Sequence, residues 1–221
     1  MADPGVRLPR VSALLLDLDG TLVDSEPLHR AGFEAWFAAR GWPFDDDVAG
    51  LFTGRRADDV FRTVDGPWRD GDPQAMLEEI VRLVPRDWLP EPLPGAAETI
   101  ESARRAGIPL ALVTSADIRW AAKALAPLGG LAVFDTSVTR DDVDTGKPDP
   151  ACYALACERL GADAGAAFAC EDAPNGVRSA VGAGVGTVLG VTTSFVAERL
   201  REAGATRTIP DLTTLPALLA E

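Results

Sequence analysis

The sequence is poor in cysteine and in basic residues, and it has no long apolar run. Cys152, Cys157 and Cys170 are the three cysteines among 221 residues and form no CxxC pair, so neither a disulfide framework nor a zinc site is expected. No run approaches 18 apolar residues, so we expect no membrane-spanning helix. The segment 1–10 lacks the apolar region of a signal peptide, and the expected location is the cytoplasm.

The charge balance is strongly acidic, with 34 acidic against 21 basic residues and a net charge of −13. This argues against nucleic-acid binding through a basic face. An anionic substrate stays compatible with it, because a single lysine or a helix N-terminus can create a local positive potential. The hydrophobic fraction of 47% and the charged fraction of 25% are ordinary for a globular protein.

Apolar runs alternate with helical patterns along most of the chain. Strands are predicted at residues 11–16, 110–114, 133–138, 166–170 and 187–192. Helices are predicted between them, at 96–106, 120–128, 150–160 and 176–183. This alternation predicts an α/β fold with a doubly wound, mainly parallel sheet.

The stretch 23–90 breaks this rhythm, because it contains no convincing apolar strand. Helical patterns occur at 29–40, 48–51, 58–64 and 73–84, and the stretch holds four of the five tryptophans. The sequence therefore predicts a core domain at 1–22 and 91–221, with a helical cap domain inserted at 23–90. An insertion after the first strand lies over the carboxyl ends of the strands, where ligands bind in such sheets. The insertion is thus a candidate lid.

The most specific motif follows the first predicted strand and reads Asp17-Leu18-Asp19-Gly20-Thr21-Leu22. Two carboxylates this close at the end of a buried strand are costly unless a cation or a proton relieves them. A solvated Asp-Gly turn is the alternative interpretation of these residues taken alone.

Three further polar sites follow predicted strands. Thr114 and Ser115 offer hydroxyls and amides suited to a phosphate before a helix, although such residues also serve as ordinary helix caps. Lys147 lies between a glycine and a proline that stiffen its turn, although most loop lysines are simply solvated. Glu171 and Asp172 are adjacent acids, and their hard oxygen atoms are ligands that Mg²⁺ favours.

In order and in context, these four motifs resemble the haloacid dehalogenase-like (HAD) superfamily over nearly the whole chain. The resemblance implies that Asp17 is a nucleophile that becomes phosphorylated, and that Asp19 is a general acid and base. It also implies that Lys147 and Thr114 belong to the catalytic set. The groups expected to contact the phosphate are Leu18, Asp19, Thr114, Ser115 and Lys147.

The same resemblance implies an Mg²⁺ site. Its expected ligands are Asp17, the backbone carbonyl of Asp19, and Asp172. Glu171 is expected nearby, either through a water molecule or behind the direct ligands. A cation there would neutralise charge between the nucleophile and the phosphate.

Within the superfamily, Asp19 indicates C–O–P chemistry, because the dehalogenase and phosphonatase branches lack an aspartate at this position. The helical insertion resembles the small-cap subfamily that includes β-phosphoglucomutase, phosphoglycolate phosphatase and the sugar phosphatases. The segment 53–59 resembles the substrate-specificity loop of that cap. We therefore expect Gly54, Arg55 and His29 to contact the substrate, with Arg56 and Glu26 as further candidates.

Ala57 weakens the mutase interpretation, because β-phosphoglucomutase carries an arginine there that grips a second phosphate. Motifs in the C-terminal half, such as 171–177 and 190–195, resemble sugar phosphatases and glycerol-3-phosphatases. The sequence thus predicts an Mg²⁺-dependent phosphatase for a small sugar or polyol monophosphate, acting through an aspartyl-phosphate as a monomer or weak homodimer. A β-phosphoglucomutase-like phosphomutase and a catalytically idle phosphate-binding protein are the alternatives.

Overall fold

A computed structural model describes residues 11–84 and 88–219. Its strands are β1 (Leu14–Leu16), β2 (Val23–Asp24), β3 (Glu91–Pro92), β4 (Leu110–Val113), β5 (Thr136–Val138), β6 (Phe168–Glu171), β7 (Thr187–Val191) and β8 (Arg207–Ile209). Its α-helices are α1 (Glu26–Ala38), α2 (Asp46–Phe52), α3 (Ala57–Thr63), α4 (Pro73–Leu83), α5 (Ala96–Ala106), α6 (Ile118–Ala124), α7 (Ala151–Leu160), α8 (Pro174–Gly182), α9 (Ala197–Glu202) and α10 (Leu215–Leu218).

Six strands form one parallel sheet in the order β5-β4-β1-β6-β7-β8. Strand β1 lies in the middle, where Leu14 pairs with Leu110 of β4 on one side and Phe168 of β6 on the other. All three residues of β1 are fully buried, which explains its uninterrupted apolar sequence. The predicted α/β fold with a doubly wound, mainly parallel sheet is confirmed.

Helices cover both faces of this sheet, because successive strand side chains point to opposite sides. Leu14 and Leu16 pack in a cluster with residues of α5, α6 and α10, such as Ile100. Leu15 faces the other way and packs with residues of α7, α8 and α9, including Tyr153. The two clusters place β1, and the residues that follow it, at the centre of the domain.

Several predicted elements differ from the observed ones at their ends. Strand β1 covers only the last half of the predicted 11–16, and the predicted strand 133–138 shrinks to β5 because residues 131–133 form a 3₁₀ turn. Helix α6 starts earlier than predicted, since the Asp117 side chain accepts a hydrogen bond from the Trp120 amide and caps it. The edge strand β8 was missed because two of its three residues are polar.

Helices α1 to α4 form a separate helical unit with its own apolar cluster. Its buried members are Trp36, Phe37, Phe52, Val60, Phe61, Trp68, Met76 and Ile80. Trp42 packs against the cluster, whereas Trp88 lies outside it. The expectation of no strand in 23–90 was wrong in one detail, since β2 pairs antiparallel with β3 where the chain leaves and re-enters the larger unit.

The sequence predicts neither a membrane-spanning helix nor a disulfide framework. Within the described residues, no helix combines the length and apolarity needed to cross a bilayer. The three cysteines all lie in the described part of the chain, where each is a buried free thiol.

Candidate active site

The predicted site residues converge at the carboxyl end of the sheet. Asp17 directly follows β1 and Thr114 directly follows β4, while Glu171 ends β6 and Asp172 comes next. The strands are in register at this end, because Leu16 of β1 pairs with β4 and with β6. All four polar residues are buried.

Lys147 is the cation at the centre of this group. Its ammonium donates to Asp17 Oδ1 at 2.6 Å, to Glu171 Oε1 at 2.5 Å and to the Val113 carbonyl at 3.0 Å. Burial disfavours its charge, but the two carboxylates outweigh that effect and raise the pKa of Lys147. The lysine is therefore a fixed positive charge against the predicted nucleophile.

Glu171 is held by a residue that the sequence analysis did not assign to the site. The hydroxyl of Tyr153 donates to Glu171 Oε1 at 2.5 Å, so this oxygen receives bonds from both Tyr153 and Lys147. Tyr153 lies on α7 and is fully buried. Its apolar helix face gave no sign that its hydroxyl would reach a carboxylate on β6.

Asp17, Glu171 and Asp172 form a buried acidic cluster whose ligand oxygens lie within 4.8 Å of one another. Burial, with the nearby Glu171 charge, raises the pKa of Asp172 to about 8 and raises the pKa of Asp17 well above its usual range. Three acids thus face one lysine, so ionisation of all three would leave the cluster with an excess of negative charge. Clustered hard oxygen donors of this kind fit a divalent cation such as Mg²⁺.

The side chain of Asp19 belongs to a different set of contacts. Its Oδ1 accepts a hydrogen bond from Ser25 Oγ at 2.5 Å and another from Trp120 Nε1 at 2.9 Å. Neither donor was predicted as a site residue. Ser25 precedes a helix and Trp120 lies in the first turn of another, so their sequence positions suggested only local structural roles.

The predicted phosphate-binding hydroxyls lie beside the acidic cluster. Thr114 Oγ1 accepts from the Ala116 amide at 3.0 Å, which leaves its hydroxyl hydrogen available to a ligand. The hydroxyl of Ser115 is shielded from solvent and has no hydrogen-bond partner among the described residues. A buried hydroxyl without a partner is costly, and a bound anion would satisfy it.

Leu18 contributes to this region only through its backbone. Its side chain is fully buried in the sheet's apolar cluster, and its carbonyl accepts bonds from the amides of Leu22 and Val23. This leaves the Leu18 amide as the group that could contact a phosphate.

The helical unit reaches the site through α1 and through the loop before α3. The ring of His29 lies 5.2 Å from that of Trp120. Gly54 has φ +70°, and a Cβ there would lie 2.3 Å from that of Ala173, so the loop touches the segment just after the acidic cluster. Arg55 donates to Thr63 at 3.2 Å within the unit.

Arg56 lines the cavity above the acidic cluster and also joins the two units. Its guanidinium is buried and donates to the carbonyls of Arg140, Val143 and Asp144 in the other unit. The sequence could not reveal these contacts, because an arginine in a loop of the helical unit gives no indication of which carbonyls it will meet.

A cavity of about 620 Å³ lies between the two units. Its floor contains Asp17, Asp19, Thr114, Ser115 and Asp172, and Glu26, His29 and Arg55 also line it. The side formed by the helical unit is apolar in part, where it is lined by Phe33, Phe44, Phe52, Ile80 and Val84, and Arg30, Arg56 and Arg82 add charged groups to the same side. Its volume lies in the usual range for small-molecule sites.

The haloacid dehalogenase-like hydrolase family profile matches residues 11–184. The chain belongs to this family. It is 36% identical over 191 residues to validoxylamine A 7'-phosphate phosphatase of Streptomyces hygroscopicus subsp. limoneus, covering 86% of this chain and 89% of the relative. It is 32% identical over 210 residues to the phosphorylated carbohydrates phosphatase of Thermotoga maritima, covering 88% and 92%.

A solved structure gives a similar result for the fold. The chain matches a mutant CbbY from Rhodobacter sphaeroides in complex with xylulose-(1,5)bisphosphate, with a TM-score of 0.75 and 31% identity. The match covers 93% of this chain and 96% of CbbY. Membership in the hydrolase family confirms the resemblance and the prediction of an enzyme.

Proposed function

We propose that this protein hydrolyses the phosphate monoester of a phosphorylated carbohydrate, with Asp17 as the nucleophile. The observation that carries the proposal is the buried Asp17 carboxylate, 2.6 Å from the Lys147 ammonium. It lines the same cavity as the Ser115 hydroxyl, which has no hydrogen-bond partner in the part of the chain that the structure describes. Phosphoryl transfer to an enzyme requires a nucleophile, a positive charge and hydrogen-bond donors for the phosphate. The Asp17 carboxylate, the Lys147 ammonium and the Ser115 hydroxyl are groups of these three kinds. Both named relatives are phosphatases, one of validoxylamine A 7'-phosphate and the other of phosphorylated carbohydrates.

In the first step, a carboxylate oxygen of Asp17 attacks phosphorus. The new bond joins phosphorus to Asp17, and the bond between phosphorus and the carbohydrate oxygen breaks. Lys147 stabilises the charge that gathers on the phosphoryl oxygens, and Thr114 and Ser115 donate hydrogen bonds to them. The Leu18 amide is placed to assist.

Asp19 moves the proton in both steps. It first protonates the departing alkoxide, which would otherwise be a poor leaving group. It then accepts a proton from the water that attacks phosphorus, and the bond between phosphorus and the Asp17 carboxylate breaks. The products are the free carbohydrate and inorganic phosphate, and both aspartates return to their starting states.

Mg²⁺ fits the acidic cluster, and we assign Asp17, Asp172 and the Asp19 backbone carbonyl as the groups that would hold it. When bound, it supplies positive charge between the nucleophile and the phosphate. Glu171 is assigned an indirect part, because its Oε1 already accepts bonds from Lys147 and Tyr153.

The helical unit within 23–90 is proposed to be a cap domain over the core formed by 1–22 and 91–221. It lies across the cavity, so closing it over a substrate would exclude water from the reacting phosphate. Gly54, Arg55 and His29 would contact the carbohydrate part. The apolar side of the cavity suits the less polar face of a sugar or polyol.

The test is phosphate release from a panel of sugar and polyol phosphates, with p-nitrophenyl phosphate as a generic probe. We expect Mg²⁺-dependent release by the wild type and a loss of at least about 1,000-fold in Asp17→Asn, because the amide is not a nucleophile. Full activity of Asp17→Asn would overturn the mechanism. Isomerisation without phosphate release would indicate a mutase, and binding without turnover would indicate an idle phosphate-binding protein.

A further inference from the structure

We propose that Trp120 is a positioning residue for Asp19, and that it links the acid/base carboxylate to the helical unit. The proposal rests on the proposed function, because it assigns to Asp19 the proton transfers described above. Trp120 lies on α6 of the core, 101 residues from Asp19 in sequence. It belongs to none of the four motifs.

The contacts at Asp19 are one-sided. Ser25 Oγ and Trp120 Nε1 both donate to Oδ1, at 2.5 Å and 2.9 Å. Within residues 11–84 and 88–219, no other side chain donates to this carboxylate. Two donors on one oxygen fix the plane of the carboxylate and leave Oδ2 as the atom that exchanges a proton with the leaving group and with water.

The hydrogen bond from Ser25 to Asp19 takes the place of an ordinary helix-capping hydrogen bond. Ser25 occupies the N-cap position of α1, where a serine hydroxyl commonly accepts a bond from an amide of the first turn. Here it makes no side-chain cap bond and donates to Asp19 instead. Ser25 also lies directly between the ribbon strand β2 and α1, at the entrance to the helical unit.

Trp120 contacts the helical unit as well as Asp19. Its indole ring lies 5.2 Å from the His29 ring of α1, with the planes tilted by 51°. A shift of α1 away from the core would therefore move Ser25 and remove the ring that packs on Trp120. Both hydrogen bonds to Asp19 thus depend on the position of α1. The Asp19 carboxylate is therefore held in one orientation only when the helical unit is packed against the core.

The decisive variant is Trp120→Phe, which keeps an aromatic ring against His29 and removes the N–H. Proton donation matters for an alkyl phosphate, whose alkoxide leaves poorly, and matters little for p-nitrophenyl phosphate. The readout is kcat/KM, because in a two-step reaction it reports the step that forms the phosphorylated Asp17. The alkyl substrate is whichever sugar or polyol phosphate of the panel the wild type hydrolyses fastest.

We expect Trp120→Phe to lower kcat/KM for the alkyl phosphate by about tenfold or more, as for the loss of one hydrogen bond to a charged group. For p-nitrophenyl phosphate we expect a change below about threefold. Ser25→Ala should give the same selective loss. The double variant should lose less than the product of the two single effects, because both donors act on one oxygen.

Trp42→Phe is the matched control. Trp42 is also partly buried and packs on other aromatic rings, but it lies away from the site, so both substrates should keep their wild-type values. Equal losses for both substrates in Trp120→Phe would show a merely structural role and overturn the proposal, as would no loss. A wild type that hydrolyses no ester would instead refute the proposed function on which this inference rests.

Discussion

The guanidinium of Arg56 donates a 2.8 Å hydrogen bond to the carbonyl of Val143, four residues before Lys147. It also reaches the carbonyls of Arg140 and Asp144. A second contact runs in the opposite direction, since Arg140 donates to Asp58 of the helical unit at 3.0 Å. The helical unit is therefore fastened by hydrogen bonds to the segment that carries Lys147 of the candidate active site.

Replacing Arg56 should weaken both closure and catalysis. Arg56→Ala removes a buried cation that satisfies three carbonyls, and hydrogen bonds to charged groups contribute roughly 1.5 to 3 kcal/mol each. We expect kcat/KM to fall by about 10- to 100-fold, with the larger change in KM, because the cavity closes less readily. Steady-state kinetics and small-angle scattering, which reports an opened helical unit, are the measurements.

Arg55→Ala is the neighbouring control for that experiment. Among the described residues the Arg55 side chain donates only to Thr63 of its own unit, so its loss should leave the scattering profile unchanged, whatever it does to substrate affinity. Identical scattering from Arg56→Ala and the wild type would contradict the fastening role of Arg56.

The sequence made Asp17, Lys147 and Asp172 predictable for a physical reason. Each follows a buried strand or lies in a stiff turn, and parallel strands deliver such residues to one edge of a sheet. Tyr153 and Trp120 were not predictable in the same way. Each has one polar atom at the end of a largely apolar side chain. The periodicity of a sequence predicts that such a side chain is buried, but it does not predict the direction in which its N–H or O–H points.

Arg56 shows a second limit of prediction from the sequence, which concerns hydrogen bonds to the backbone. Sequence reasoning placed it in the loop before α3, but its hydrogen-bond acceptors are backbone carbonyls more than 80 residues away. Every residue has a carbonyl, so no residue type in the sequence marks those that will accept a long-range hydrogen bond. Only the packing of the two units determines them.

Removing the hydroxyl of Tyr153 should make the position of the Lys147 ammonium less fixed. Tyr153→Phe leaves Glu171 with Lys147 as its remaining side-chain donor among the described residues, and Glu171 is one of two carboxylates that hold the ammonium. We expect a loss of about 1 to 3 kcal/mol in the free energy of unfolding and a fall in kcat of roughly 3- to 10-fold. Denaturant unfolding and kinetics measure the two effects. Unchanged values for both would contradict a role for this hydroxyl.

The acidic cluster makes the stability of the metal-free protein depend on pH. The pKa of Asp172 is about 8, above its usual 3.8, and the pKa of Asp17 is also raised. For Asp172 the folded state therefore binds more protons than the unfolded state between about pH 4 and pH 8, so the stability that this carboxyl contributes is fully present below about pH 4 and is lost as pH rises to about 8. Thermal unfolding in a chelator at pH 5 to 8 should show a falling Tm, measured against Asp172→Asn, in which the fall is smaller.

Adding Mg²⁺ should reverse that trend. A ligand present at 100 times its Kd stabilises a protein by about 3 kcal/mol, which corresponds to a Tm increase of roughly 5 to 10 °C for a chain of this size. The increase should be larger at pH 8 than at pH 5, because the cation competes with protons for the same carboxylates. An increase independent of pH, or equal in Asp172→Asn, would contradict Mg²⁺ binding at the cluster.

Gly20→Ala should disrupt Mg²⁺ binding through a single methyl group. Gly20 has φ +79°, and a Cβ there would lie 2.2 Å from Asp172 Oδ2, so the carboxylate must move. Gly41→Ala is a matched control, since Gly41 has φ +66° but no atom within 4 Å of its added Cβ. Both variants should lose about 1 to 2 kcal/mol to backbone strain. Only Gly20→Ala should weaken Mg²⁺ binding, and titration calorimetry measures the affinity. We expect a loss of about tenfold or more, because a carboxylate ligand is displaced. Equal affinities in the two variants would mean that Asp172 does not hold the ion.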